Sequence, residues 1–237
     1  IEKPLAQDLP EAQKLSELLA AYNATVALNY LRRYAKGLID LKARLDAGEF
    51  GNPQVATCYY GKGLTNNGSH AIDLMRWWLG EVASVHVHGE VEDGRMQDRT
   101  LACRYELLTP SGQRVPVDLI GTDHRTLSLF EFDLICTQGR LRVSERGAAV
   151  WTSKVISDPA FSGYSALAEP VREEGGIHHA LMGLWEDLLE VLAGRRSAPR
   201  CTLADGLAAL NVVQATLGAM TDHTPTAIAP LSTQATR

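Results

Sequence analysis

The sequence predicts an α+β fold: one large, mostly antiparallel sheet, open on one face, with helices on the other. Three observations predict it. From residue 53 onward apolar and polar residues alternate with a period of two over several consecutive segments joined by short turns, as in a sheet with one buried face. The stretches before and after carry helical spacing instead. The chain has 237 residues, 45% hydrophobic and 22% charged, the length and balance of a globular protein with a sizeable core.

The elements follow in order. A strand end at Ile1, a helix over 8–22 and a short apolar strand, Thr25–Leu28, make a βα fragment. The helix start is signalled by Asp8 as N-cap with Glu11 three residues on, and Leu15, Leu18 and Leu19 keep its spacing. A second helix over 34–47 places Leu38, Leu41 and Leu45 on one face and ends at Gly48 and Gly51. Beyond it Val85, Val87 and Val91 alternate with His86, His88, Glu90 and Glu92, and Leu101, Cys103, Tyr105 and Leu107 with Arg104 and Glu106. Val115, Val117 and Leu119, then Phe130, Phe132 and Leu134, then Leu141 and Val143 continue the pattern across Pro110–Gly112 and Gln138–Gly139 turns. A last strand is expected around 148–155, then a loop over 157–176. Two helices follow, over 177–193 with Leu181, Leu184, Trp185 and Leu188 inward, and over 203–221 with Thr202 as cap and Leu203, Leu207, Leu210, Leu217 and Met220 inward. The tail after Thr224 reads as a loosely ordered extension. A sheet of this size has a second face to cover, and His86, His88, Glu90 and Glu92 suit water or a wet subunit interface.

Composition excludes several classes. A net charge of −5 leaves no basic footprint for nucleic acid. No apolar run approaches the ~20 residues that span a bilayer, and no signal segment opens the chain. The four cysteines (Cys58, Cys103, Cys136 and Cys201) are far apart and form no CxxC pair, so the expectation is reduced core cysteines in a cytoplasmic protein and no metal site. His86 and His88 share a strand face at metal-like spacing, but a third ligand is missing. The chain opens on Ile1-Glu-Lys-Pro without a methionine and reads as the continuation of something longer.

The chemistry gathers in Gly61–Gly80, where a Gly-rich loop runs into an amphipathic helix with His70 in its first turn. Backbone N–H groups and the dipole make a helix start partly positive, which disfavours imidazolium and leaves the histidine able to accept a proton. Ser69 is the expected N-cap, and Gly68 permits close approach of another molecule. On residue type alone, Lys3 is either a surface lysine or a functional one, and His70 either a capping or core histidine or a base. Tyr60 and Lys62 lie on the same loop, where substrate contact and plain solvation compete. Arg32 and Arg33 read as packing and salt-bridge residues, and one of His178 and His179, at a helix start, can line a pocket mouth.

Glu2-Lys3-Pro4 followed by a helix and strand, Arg32-Arg33-Tyr34, Gly48-Glu-Phe-Gly51, Asn67-Gly-Ser-His70-Ala-Ile-Asp73 and Thr202-Leu-Ala-Asp-Gly206 occur in that order over almost the whole chain. The set resembles the glucose–fructose oxidoreductase/inositol dehydrogenase (Gfo/Idh/MocA) family. The resemblance implies an oxidoreductase that uses NAD or NADP on a secondary alcohol of a sugar, sugar nucleotide or cyclic polyol. It implies that residues 1–28 are the end of a Rossmann domain whose glycine turn is absent here, and that 29–237 bind substrate and form a homodimer or homotetramer through the sheet face. Lys3, His70 and Asn66 are then the catalytic group. Asp73, Lys62 and Tyr60 are candidates for substrate, and Glu2, Lys3 and Pro4, with a cis Lys3–Pro4 bond, border the cofactor. Many members carry aspartate where this chain has Asn66, which orients an imidazole without stabilising its charge. Two other readings share the scaffold: a non-catalytic binding or assembly module, and an NAD-dependent glycosidase.

Overall fold

The computed structural model describes residues 1–22, 24–94, 97–221 and 225–231. Helix α1 spans Leu9–Ala21. The Asp8 side chain accepts from the Glu11 N–H at 2.8 Å and Glu11 accepts from the Gln7 N–H at 3.1 Å, so the charged start read from the sequence is in place. The two flanking strands are not. Ile1 bonds Ala27 and Asn29 through backbone groups and Leu28 bonds Cys201, but this bridge belongs to no ladder among the described residues. Without a neighbouring strand, an apolar run such as Thr25–Leu28 stays extended coil.

A 3₁₀ turn, Leu31–Tyr34, leads into α2, Lys36–Asp46, after which Gly48 and Gly51 take positive φ. The sheet strands are β1 (Pro53–Tyr60), β2 (Glu81–Val91), β3 (Thr100–Leu108), β4 (Arg114–Gly121), β5 (Phe130–Cys136), β6 (Gly139–Ser144), β7 (Ala149–Ser157), β8 (Ser165–Leu167), β9 (Val171–Glu174) and β10 (Thr226–Ala227). Their order is β10-β2-β3-β4-β1-β5-β6-β7-β8, with β9 also on β7. Every pairing is antiparallel except β1–β4, a parallel pair at the centre. That pair closes only after the chain has passed through a helix and two strands, so nothing local announces it.

One face of the sheet is buried, by Cys58 and Tyr60, Cys103 and Tyr105, Val117 and Leu119, and Phe130 and Phe132. It packs under α3 (Ser69–Leu79) and α5 (Leu203–Gly218), and Leu5, Ala12 and Leu28 join the same core. The other face is open, with Tyr59, Ile135 and His88 exposed, the last ring 4.6 Å from that of His86. Residues 157–176 are not all loop: β8 and β9 are short, polar strands that pair with β7 and have no signal without it.

Helix α4, Ala180–Leu192, is turned differently from its apolar pattern. Leu184 is buried and Leu188 packs on the core, but Leu181 and Trp185 are exposed. The inward stripe also contains Asp187, which accepts from the Arg200 N–H at 2.8 Å and pairs with the Arg196 and Arg200 side chains. A buried carboxylate with partners decides the helix rotation, and hydrophobic spacing is blind to it. In α5, Thr202 and Asp205 form a reciprocal cap, Leu210 is buried, and Leu203, Leu207, Leu217 and Met220 pack on the core. The described part of the tail is docked, not loose: β10 pairs with β2 and Ile228 is buried, while 222–224 and 232–237 lie outside the described residues. Among the described residues no helix is long and apolar enough to cross a membrane.

Candidate active site

Strand β1 delivers the loop. Lys62 is exposed with φ of 73°, and Gly63–Gly68 then winds as a π-turn that runs straight into α3. Ser69 is therefore not the N-cap but the first residue of an already formed helix, its hydroxyl donating to the Asn66 carbonyl at 2.9 Å. The N-terminal N–H groups are satisfied from another loop. Gly63 donates to Thr100 Oγ1 at 2.8 Å, Leu64 to the Arg99 carbonyl at 2.7 Å, and Thr65 and Asn66 to the two carboxylate oxygens of Asp98 at 2.8 and 3.0 Å. Asp98 thus supplies the negative charge that a helix start favours. Gly63 has φ of 83°, and a Cβ there would run into the Asp98 carboxylate. Gly68 also serves close approach, but to this chain: a Cβ would lie 2.9 Å from the Tyr60 ring.

Lys3 reaches this loop from 63 residues earlier in the sequence. The Lys3–Pro4 bond is cis, as expected, and the ammonium donates to the Asn66 carbonyl and, at 2.9 Å, to Asn66 Oδ1. Burial, and then the Arg32 charge, push the Lys3 pKa down to about 8, against the opposing pull of Asp98 and Glu2. Asn66 therefore holds the lysine rather than the imidazole. Glu2 accepts from Asn29 at 2.7 Å.

His70 packs edge-on against Tyr30, ring centroids 5.5 Å apart, and its Nδ1 is buried with no hydrogen-bond partner. Burial, followed by the charges of Arg32 and Lys3, holds its pKa well below the usual histidine value. The ring is neutral at ordinary pH, as the helix-start argument expects, but neighbouring cations and desolvation are the cause.

Two expected substrate residues are occupied elsewhere. Asp73 is buried, and Arg33 Nε and Nη2 hold its carboxylate at 2.8 to 3.1 Å, with Asp205 3.1 Å from the same guanidinium. Tyr60 is fully buried and its hydroxyl donates to the Leu101 carbonyl and accepts from the Leu101 N–H. Both side chains are engaged by groups of this chain. Lys62 stays exposed on the loop.

Two residues of the site escape the sequence reading. Asp98 sits in an unpatterned loop, and only the fold sets it beneath Gly63–Asn66. Arg32 is buried, with its guanidinium carbon 3.4 Å from the Phe130 ring centroid and its Nε without a partner. Unlike Arg33 it makes no hydrogen bond or ion pair among the described residues. The adjacent Arg33 is the signal that misleads, since a pair of arginines reads as one structural unit.

No group of His, Cys, Asp and Glu among the described residues is arranged to hold a metal ion. A dinucleotide fits this loop poorly too: the N–H groups of Gly63, Leu64, Thr65 and Asn66 that could cradle a phosphate are taken by Thr100, Arg99 and Asp98.

No family model matches the chain. It is 26% identical to inositol 2-dehydrogenase 1 of Saccharopolyspora erythraea over 94% of this chain and 68% of that protein. It is 31% identical to scyllo-inositol 2-dehydrogenase (NAD(+)) of Bacillus subtilis over 38% of this chain and 31% of that protein. The fold matches an NAD binding oxidoreductase from Klebsiella pneumoniae with a TM-score of 0.76 and 13% identity, covering 96% of this chain and 72% of that one. These relatives are inositol dehydrogenases and the matching fold is that of an oxidoreductase, the kind of protein that the resemblance to the Gfo/Idh/MocA family implies. The chain spans about two thirds of the length of the Saccharopolyspora protein.

Proposed function

We propose that this chain is the substrate-binding and proton-transfer part of an NAD(P)-dependent oxidoreductase acting on a secondary alcohol of a sugar, sugar nucleotide or cyclic polyol. The observation that carries it is the meeting of Lys3 with the Asn66–His70 turn, which brings together two proton-handling side chains distant in sequence. His70, neutral and with an unpartnered ring nitrogen, takes the hydroxyl proton. Lys3, with a pKa of about 8, binds the same oxygen and stabilises its developing negative charge. Asn66 fixes the lysine. A nicotinamide cofactor would supply the hydride acceptor; of this chain only Glu2, Lys3 and Pro4 would border it, with residues 1–28 closing its own domain.

The relatives named for inositol support the polyol class. Exposed Tyr59 and Ile135 support assembly of two or four copies through the open sheet face. The poor fit to a dinucleotide favours a second reading, a binding or assembly module without redox chemistry.

One experiment separates them. The product of the natural gene, assayed with NAD+ and NADP+ against inositols, aldoses, sugar nucleotides and glycosides, should form reduced nicotinamide with at least one alcohol. His70→Asn should lower kcat by about 10²- to 10⁴-fold. A gene product that reduces neither nicotinamide supports the module, and one that releases an aglycone supports the glycosidase.

A further inference from the structure

We propose that Arg32 recognises a carboxylate on the substrate, so that the alcohol oxidised here belongs to a polyhydroxy acid of the aldonate or uronate class. The proposal rests on the oxidoreductase reading above and narrows its substrate.

The argument starts from charge. Arg32 is only 8% exposed, its Nε is fully buried without a partner, and no carboxylate of the described residues pairs with it. A buried guanidinium left alone is costly, which is why Arg33 next to it holds both Asp73 and Asp205. The nearby acids are committed: Asp73 to Arg33, and Asp98 to the N–H groups of Thr65 and Asn66. Cys58, a further neighbour, is a thiol pushed up to about 12 by burial and carries no charge.

Geometry adds the shape of the missing partner. Stacking on Phe130 at 3.4 Å fixes the guanidinium plane and leaves its edge to bond in that plane. A planar, two-oxygen anion is the ligand that such an edge takes best. Arg32 acts electrostatically on both Lys3 and His70, so this anion lies beside the carbinol those residues handle. A neutral polyol would leave Arg32 uncompensated.

The test is equilibrium binding by calorimetry to the full 237-residue chain without nicotinamide. The probes are matched pairs, gluconate with glucitol and glucuronate with glucose. The acid of at least one pair should bind about ten- to a hundredfold more tightly than its neutral parent, the worth of a charged hydrogen-bonded pair. Arg32→Gln should erase that preference, and Arg32→Lys should keep part of it. If Arg32→Gln does not fold, the wild-type comparison decides alone. Equal binding of acid and parent, or binding of neither, overturns the proposal. So does an Arg32→Gln variant that keeps the preference but loses affinity for NAD+, which would make Arg32 a cofactor residue. An acid that binds through Arg32 yet is not oxidised by the product of the natural gene with NAD+ or NADP+ would remove the oxidoreductase reading and leave the carboxylate site standing.

Discussion

Two rungs on the first turns of α3 use the same chemistry for opposite ends. His70 and Asp73 stand one turn apart, and the consecutive arginines Arg32 and Arg33 answer them. On the Asp73 rung every charge is matched: a bidentate guanidinium–carboxylate pair, closed by Asp205. On the His70 rung the match is incomplete: Arg32 Nε and His70 Nδ1 are both buried without partners, and Lys3, bonded only to Asn66, is held at a lowered pKa. Saturated polar groups fasten α3 to the core, whereas unsatisfied ones are left for something that is not part of the chain. One turn of helix separates anchor from site.

The largest expected effect breaks the anchored rung. Asp73→Ala leaves Arg33 buried against only the more exposed Asp205, and urea unfolding should show a loss of about 3–5 kcal/mol. A smaller loss would mean that Asp205 compensates. Next is the cap that carries both rungs. Asp98→Ala strips the acceptors from Thr65 and Asn66, costing roughly 1–2 kcal/mol and speeding amide exchange across Gly63–Asn66. Because Asp98 also raises the Lys3 pKa, the variant should move that pKa below about 8, read by NMR of the lysine.

The functional rung shows itself through pH. The fold holds His70 well below its ordinary value of 6.5, so the unfolded chain takes up this proton first as pH falls. Wild-type stability should be insensitive to His70 above pH 6.5 and should decline below it, from 6.5 toward the depressed native value. His70→Asn should decline less over that window in parallel denaturant titrations; equal slopes would mean that the imidazole charges freely in the fold. The smallest effect leaves stability untouched. Lys3 should react with an amine-acylating reagent half-maximally near pH 8, as peptide mass spectrometry can follow, and half-reaction only near 10.5 would mean that burial does not lower its pKa.

Much of this was legible in the residues. Asp8 and Thr202 with Asp205 announce two helix starts through local hydrogen bonds, and the period-two run from Val85 to Val143 announces the strands, because both signals live within a few residues. The Glu2-Lys3-Pro4 and Gly68-Ser69-His70 motifs pointed to two stretches that the fold brings together at Asn66. What failed was whatever depends on a distant partner. Tyr60 and Asp73 have residue types suited to substrate, but Leu101 and Arg33 claim them. Leu181 and Trp185 have the spacing of a core stripe, but paired Asp187 takes their place.

The sequence by itself determined the class of fold, the helix caps, the alternating strands and the candidate pair Lys3 and His70, since short-range spacing and residue chemistry encode all of these. Only the tertiary structure decided that β1 runs parallel to β4, that Asp98 caps the Gly63–Gly68 turn, that Asn66 holds Lys3, and that Arg33 is paired with Asp73 while Arg32 Nε has no partner. Each of those depends on which groups meet across dozens of residues of chain, and burial then fixes whether a charge is matched or left open.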